Sequence, residues 1–406
     1  MASTKTNPLD REVRDLVKHA YANAPAVKKI FDDAGIKPRD IKTVSDLENV
    51  PVTSKDRLAE LQRESPPFGG FLAENPKRLR RIFQSPGPLY EPEGAEKTIA
   101  RVGAQIFRNA GFKRGDVVVN TLAYHLSPGG WVLDTSLLHA GAVVVPAGVS
   151  STELQIKAMV DLQVRGYAGT PSFLMNILRK SEELGVKDQL TLRVALFTGE
   201  PYPPSLRAQF EGVYGLKTTN AYATAELGFL AADCNAQQGL HFADGVVIQI
   251  CDPATGKHVA SGEAGQVVVT ALNETYPVIR LGTGDMATYL DAPCSCGRKS
   301  PRLALVGRVG DAVKVRGMFV HPNQLRGAAA KFPVIARVQG VITRPDVRDE
   351  FVLRVELGDA SANRDELSGQ LMDAVKNVCR VSVDKVDFVS SIAADAKVML
   401  DERKWE

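Results

Sequence analysis

The stretch from 279 to 317, IRLGTGDMATYLDAPCSCGRKSPRLALVGRVGDAVKVRG, places an aspartate in a glycine-flanked turn, Thr283-Gly284-Asp285, and then a tight cysteine pair, Cys294 and Cys296. It continues through Gly307-Arg308-Val309-Gly310-Asp311 into a short basic strand closed by Arg316-Gly317. Two glycine-rich turns flanking β-type runs predict a seam between domains, with polar groups gathered at the join. Ligand clefts commonly form at such seams. Upstream, β runs at Val117–Asn120, Ala142–Pro146 and Arg193–Phe197 alternate with helical stretches at Lys97–Ala110, Leu154–Gln163 and Ser172–Glu183. That alternation predicts an α/β domain with a largely parallel sheet. Downstream comes a smaller module: β runs at Arg337–Thr343 and Glu350–Leu357, a helix at Asn363–Val378 and a last strand at Val381–Val389. The helix carries an apolar stripe at Leu367, Leu371, Ala374 and Val378, suited to packing on a sheet. The expected fold is therefore a multi-domain α/β (α+β) chain, with a large domain over 1–308 and a small one over 309–406.

Bulk properties agree. A chain of 406 residues is long for one core. A hydrophobic share of 44% and a charged share of 24% are those of an ordinary globular protein, and a net charge of +3 gives no argument for nucleic acid. No apolar run approaches the ~20 residues of a membrane helix, and the opening MASTKTNPLDREVRD lacks a signal-type apolar core, so a cytoplasmic location is expected. Residues 10–63 read as helical segments broken at Pro38 and at Asn49–Thr53.

Five cysteines in such a chain indicate metal binding or free thiols more than a disulfide framework. Cys234 and His241, with Cys294 and Cys296 some fifty residues on, form a Cys₃His set suited to tetrahedral zinc. All four positions would be filled by protein, so the zinc would be structural. Cys251 and Cys379 lie in apolar surroundings and read as core. A basic run, Lys77, Arg78, Arg80 and Arg81, reads either as a solvated edge or as a landing place for coenzyme A phosphates or an acidic carrier protein.

Several motifs in order resemble the phenylacetate-CoA ligase (aryl-CoA ligase) branch of the adenylate-forming enzymes. They are Gly169-Thr170-Pro171-Ser172, Gly199-Glu200-Pro201, Tyr222-Ala223-Thr224-Ala225-Glu226, Thr283–Asp285, Cys294–Gly297 and Gly307–Gly317, with Asp46–Lys55 and Pro67–Gly69 echoing the N-terminal region. The resemblance implies a mobile C-terminal lid hinged near Gly310 and Asp311. It also implies an aryl pocket at Tyr124, Trp131, Gly199, Glu200, Pro201, Tyr222, Ala223 and Thr224, with His125 in the same loop. A pantetheine path would use Arg316 and Gly317 together with the basic run. A residual nucleotide site would hold Glu226 (Mg²⁺), Asp285 (ribose), Arg308 and Lys397.

Three parts of the family's adenylation apparatus are altered. The phosphate-gripping loop falls on Gln84–Pro92, QSPGPLYEP, where Pro86 and Pro88 have no N–H to donate and Glu91 stands in place of a lysine. Ala225 replaces the hydroxyl residue before Glu226. Asp395 aligns with the lid lysine; Lys397, two residues on, would share its side if the segment were a strand. These changes predict an acyltransferase that passes an anthranilate- or benzoate-like group from an aryl-CoA to the phosphopantetheine thiol of an acyl carrier protein without ATP. Starter-unit loading in aromatic polyketide biosynthesis is the nearest precedent. His125 is the candidate base for the thiol, and N–H groups around Thr224 or Gly130 the candidate oxyanion donors. No protein nucleophile stands out, so direct and ping-pong transfer both remain open. Two alternatives are an AMP-forming aryl-CoA ligase, which needs ATP and Mg²⁺ and uses Lys397, and a non-catalytic acyl-CoA-binding protein.

Overall fold

The computed structural model describes residues 9–85, 89–95, 97–316, 318–343, 345, 349–359 and 363–403. Pro86, Pro88 and Gly317, named above, lie outside the described residues, as does Gly87. Packing divides the chain into two compact units that interleave along the sequence. The first comprises Met1–Ile248, Val269–Leu281 and Ala292–Arg302; the second comprises Gln249–Val268, Gly282–Asp291 and Leu303–Glu406.

In the first unit a sheet runs in the order Leu240–Phe242, Gly228–Ala232, Lys217–Thr224, Val194–Phe197, Gly166–Gly169, Val117–Asn120, Val143–Pro146. The last five of these strands are mutually parallel, and the first two pair antiparallel. Parallel neighbours need crossovers, and the helices Gly129–Ala140, Thr152–Asp161, Pro171–Glu183 and Pro204–Ala208, the last continued by the helical turn Gln209–Val213, supply them. Full burial explains why the strand at Val194–Phe197 is a continuous apolar run. Tyr167, Leu174, Phe197 and Phe210 form the core on one side of it.

In the second unit a four-stranded sheet runs Lys385–Val389, Glu350–Leu357, Ile335–Thr343, Met399–Asp401. The central pair is antiparallel, and each outer strand is parallel to its neighbour. The helices Pro322–Ala329 and Arg364–Cys379 share a core with this sheet through Leu325, Phe351, Leu353, Leu371 and Val375. Asn363 caps the second helix by accepting the Glu366 N–H. The final strand begins at Lys385, four residues later than the sequence suggests, although Val381 and Val383 are still buried.

Three local expectations are corrected. Thr283-Gly284-Asp285 is not a turn but part of the strand Leu281–Tyr289; Gly284 takes φ +79 and a register irregularity follows at Met286 and Ala287. A left-handed residue inside a strand re-aims its neighbours without ending the strand. Trp131 is not in a loop, because the helix starts at Gly129. Asp395 and Lys397 precede the strand Met399–Asp401; Asp395 sits in a turn closed by Ala396 N–H to Ala393 C=O and Lys397 follows that turn, so period-two alternation does not govern them. No helix among the described residues is long and apolar enough to cross a membrane.

Candidate functional site

Arg81–Ser85 and Leu89–Glu93 pair antiparallel as the two arms of a hairpin. Register sets Phe83 opposite Glu91 and Arg81 opposite Glu93. Gln62 anchors the hairpin: its amide donates to the Tyr90 carbonyl at 2.8 Å and accepts the Tyr90 N–H at 2.8 Å, and also donates to the Tyr276 hydroxyl at 2.9 Å. Strand alternation then turns Glu91 inward, where it is 7% exposed.

Neither Glu91 oxygen has a hydrogen-bond partner. Burial pushes this carboxyl up to about 8; the Ser85 hydroxyl and the Lys55 ammonium pull the other way, and the Glu226 carboxylate adds to the rise. Glu226 follows the strand Lys217–Thr224 and is also buried, with Oε1 on Lys55 Nζ at 2.7 Å and Oε2 unpartnered. Lys55 opens the helix Lys55–Glu64, capped by Ser54. The Thr224 hydroxyl and the Ser85 hydroxyl are buried without partners as well. The group therefore holds one lysine, two carboxyls and two hydroxyls that can donate as well as accept.

Glu91 and Glu226 line a cavity of about 410 Å³. Its other walls are mostly apolar, with Phe83, Pro92, Ile99, Pro128, Trp131 and Val132 among them. Trp131 meets Tyr124 edge-on at 5.2 Å and donates Nε1–H to the Tyr124 carbonyl at 3.1 Å. The Arg81 guanidinium lies 4.2 Å from the Trp131 ring centroid and grips both Glu93 oxygens at 2.9 Å. The Tyr124 hydroxyl accepts from Asn120 at 2.7 Å and donates to Asp134 at 2.9 Å; burial, then Asp134, raises its pKa.

Of the residues expected for an aryl pocket, Trp131 lines this cavity. Tyr222 is buried in the strand that leads to Glu226, with Ala223 and Thr224 after it. The Gly199-Glu200-Pro201 and Thr170–Ser172 segments are tied together, since Glu200 accepts the Ser172 N–H at 2.6 Å and the Ser172 hydroxyl at 2.9 Å. His125 is exposed. The Gly130 N–H, expected as an oxyanion donor, is spent on the Ala123 carbonyl at 3.0 Å. A side chain there would collide with that same carbonyl.

The basic run divides. Lys77 and Arg78 sit on an exposed 3₁₀ turn, with Arg78 on Glu74 at 3.2 Å, while Arg80 lines the cavity. In the second unit Asp285 accepts from Arg308 at 2.9 Å. Arg316 is committed to structure: it donates to the Asp349 and Ser382 carbonyls at 2.9 and 3.0 Å and pairs with Asp384. Lys397 and Asp395 are exposed.

The four sulfur and nitrogen ligands converge within the first unit: one donor atom from each of Cys234, His241, Cys294 and Cys296 lies within 4.8 Å of all the others. Cys234 and Cys294 sulfurs are 3.6 Å apart, and Cys296 Sγ is 3.4 Å from His241 Nε2. A disulfide would need about 2.05 Å. Tetrahedral zinc with Zn–S ~2.3 Å and Zn–N ~2.0 Å requires ligand–ligand edges of roughly 3.5–3.8 Å, so the donor set fits that ion. His241 Nδ1 lies 3.0 Å from the Ser300 hydroxyl, which orients Nε2 toward the thiols, and burial lowers the ring's pKa. Sequence reading missed Lys55 as the partner of Glu226, Gln62 as the hairpin anchor and Ser300 behind His241. Only Ser300, close after the C-x-C pair, carried a local signal.

The doubly wound sheet with an appended α+β unit is the fold of the adenylate-forming enzymes. Residues 95–273 match the family model described as AMP-binding enzyme. The chain is 28% identical over 382 residues to the phenylacetate-coenzyme A ligase of Thermus thermophilus, covering 90% of this chain and 85% of that protein. It is 29% identical over 418 residues to the Aromatoleum evansii enzyme of the same description, covering 96% and 92%. Among solved structures, 2-hydroxyisobutyryl-CoA ligase in an open conformation with 2-HIB-AMP and CoA superposes with a TM-score of 0.85 at 25% identity, covering 97% of this chain and 91% of that one. Over most of its length the chain resembles the phenylacetate-CoA ligase branch of the adenylate-forming superfamily.

Proposed function

We propose that this chain transfers an aryl acyl group, anthranilate- or benzoate-like, from coenzyme A to the phosphopantetheine thiol of an acyl carrier protein, without ATP. The observation that carries the reading is the charge at the site where a triphosphate would be held: Glu91 buried without a partner, and Glu226 already neutralised by Lys55. A buried carboxyl where a lysine would meet the phosphates supplies no cation there, and Lys55 is spent on one oxygen of the carboxylate that would otherwise meet Mg²⁺. A thioester arrives activated, so losing this grip costs the transfer nothing. In the transfer the incoming sulfur bonds to the acyl carbon, the bond to the sulfur of CoA breaks, and the thiol proton ends on the departing thiolate. His125, solvent-accessible in its loop, is the proposed base; the basic residues Lys77, Arg78 and Arg80 are the proposed contacts for CoA or an acidic carrier.

The second reading, an AMP-forming acid–thiol ligase, is favoured by the relatives, which carry that description across most of their length. In it Asp285, Arg308, Glu226 and Lys397 serve the nucleotide, with Mg²⁺. Under either reading we propose a structural zinc on Cys234, His241, Cys294 and Cys296, and a hinge near Gly310 and Asp311 between a large domain over 1–308 and a C-terminal lid over 309–406. The deciding experiment incubates the purified chain with an aryl-CoA and a holo acyl carrier protein without ATP, and weighs the carrier by mass spectrometry. Enzyme-dependent acylation supports the transferase. An unchanged carrier, with CoA thioester formed from free acid once ATP and Mg²⁺ are added, restores the ligase.

A further inference from the structure

A carboxyl that is 7% exposed and makes no hydrogen bond leaves a desolvation cost uncompensated. Glu226 shares the pocket but has Lys55 on one oxygen. Glu91 has nothing comparable, and it stands on the wall of a 410 Å³ cavity whose neighbouring surfaces are Phe83, Ile99, Trp131 and Val132. A ligand that suits both features has a flat apolar body and, at one edge, an N–H or O–H group.

We propose that Glu91 is a specificity-determining residue of this cavity and selects acyl groups that carry an amino or hydroxyl donor on an otherwise apolar ring. The donor hydrogen goes to a Glu91 oxygen, and the ring packs against Trp131 and Val132. The inference rests on the proposed use of the cavity for the acyl group. Because burial holds Glu91 largely protonated near neutral pH, it receives a weakly basic aryl amine without placing a net charge in the pocket.

The test is calorimetric titration of the full chain with 2-aminobenzoyl-CoA and with benzoyl-CoA, for wild type, Glu91→Leu and Glu91→Gln. Wild type is expected to prefer the amino compound by about tenfold or more. Glu91→Leu, which removes an unpaired buried carboxyl and so should still fold, is expected to erase that preference while keeping benzoyl-CoA affinity. Glu91→Gln keeps one acceptor oxygen and should retain part of it. An unchanged preference in Glu91→Leu, or no binding of either thioester to wild type, overturns the proposal. Carrier acylation is read separately. Transfer with a preference indifferent to residue 91 sinks this inference alone, whereas a preference set by residue 91 without any transfer sinks the proposed function alone.

Discussion

A carboxyl surrounded by protein and lacking a donor loses its proton late, and Glu91 makes that visible in the stability of the fold. Its pKa rises from 4.5 to about 8 on folding. Between those values the folded chain binds more protons than the unfolded one, so stability falls as pH climbs through this window and levels off above it. One such group gives a slope of at most ~1.4 kcal/mol per pH unit. Urea unfolding of wild type and Glu91→Gln across the window is expected to show the slope in the first and a flatter profile in the second; parallel profiles would remove Glu91 as its source. Gly307 offers a sterically simpler test. It takes φ +147, and an added Cβ would overlap the ring of His321, whose Nε2 accepts the Arg308 N–H at 3.0 Å. Gly307→Ala should cost ~2–4 kcal/mol in denaturant unfolding, and a cost below about 0.5 kcal/mol would show that the ring moves aside freely. The wrong-sign residue at 91 was legible in the sequence, because a motif fixes what charge belongs there. Its burial and the diversion of Lys55 onto Glu226 were not, since both depend on a strand register and a helix start far apart in the chain.

Elements were readable to the extent that their periodicity was local. Glu350–Leu357 alternates buried and half-buried residues, and the parallel strands are short apolar runs between polar turns, so both stand out. The hairpin 81–93 and the helix from Gly129 do not. The first is interrupted by prolines and glycine that read as a loop, and the second opens Pro-Gly-Gly, a sequence with little intrinsic helix preference that tertiary packing overrides. The cysteine–histidine cluster was legible because each half is a short local pair. The fold contributes only their meeting: Cys234 and His241 flank one turn region, Cys294 and Cys296 another. If that cluster holds zinc, the purified chain carries about one zinc per chain by elemental analysis, and removal with a strong chelator lowers Tm by roughly 5 °C or more. Cys294→Ser should reproduce most of the loss. A metal-free protein with the same melting curve before and after chelation would leave the four side chains as reduced, packed thiols and a buried imidazole.

At the scale of the whole molecule, the two functional readings predict different linkage. Any ligand that binds the folded chain and not the unfolded one raises stability by RT ln(1 + [L]/Kd), about 2.7 kcal/mol when the ligand is at a hundred times its Kd. A ligase must hold ATP and Mg²⁺ in its ground state, so its melting temperature rises with them before any acid or thiol is added. The transferase has no such requirement. The site in this chain presents Glu91 in place of a cation, and its Lys55 is held on one Glu226 oxygen. Thermal unfolding with millimolar ATP and Mg²⁺ is therefore expected to match the ligand-free curve, while an aryl-CoA at the same concentration raises Tm by several degrees. Glu91→Lys places a cation at the same position. On this reasoning it should bring in a measurable ATP-dependent shift, whereas the wild-type response to aryl-CoA should exceed that of the variant for a donor-bearing ring. A wild-type ATP shift as large as the aryl-CoA shift would mean that the phosphates find their donors without residue 91, and the chain would then be read, like its relatives, as an acid–thiol ligase.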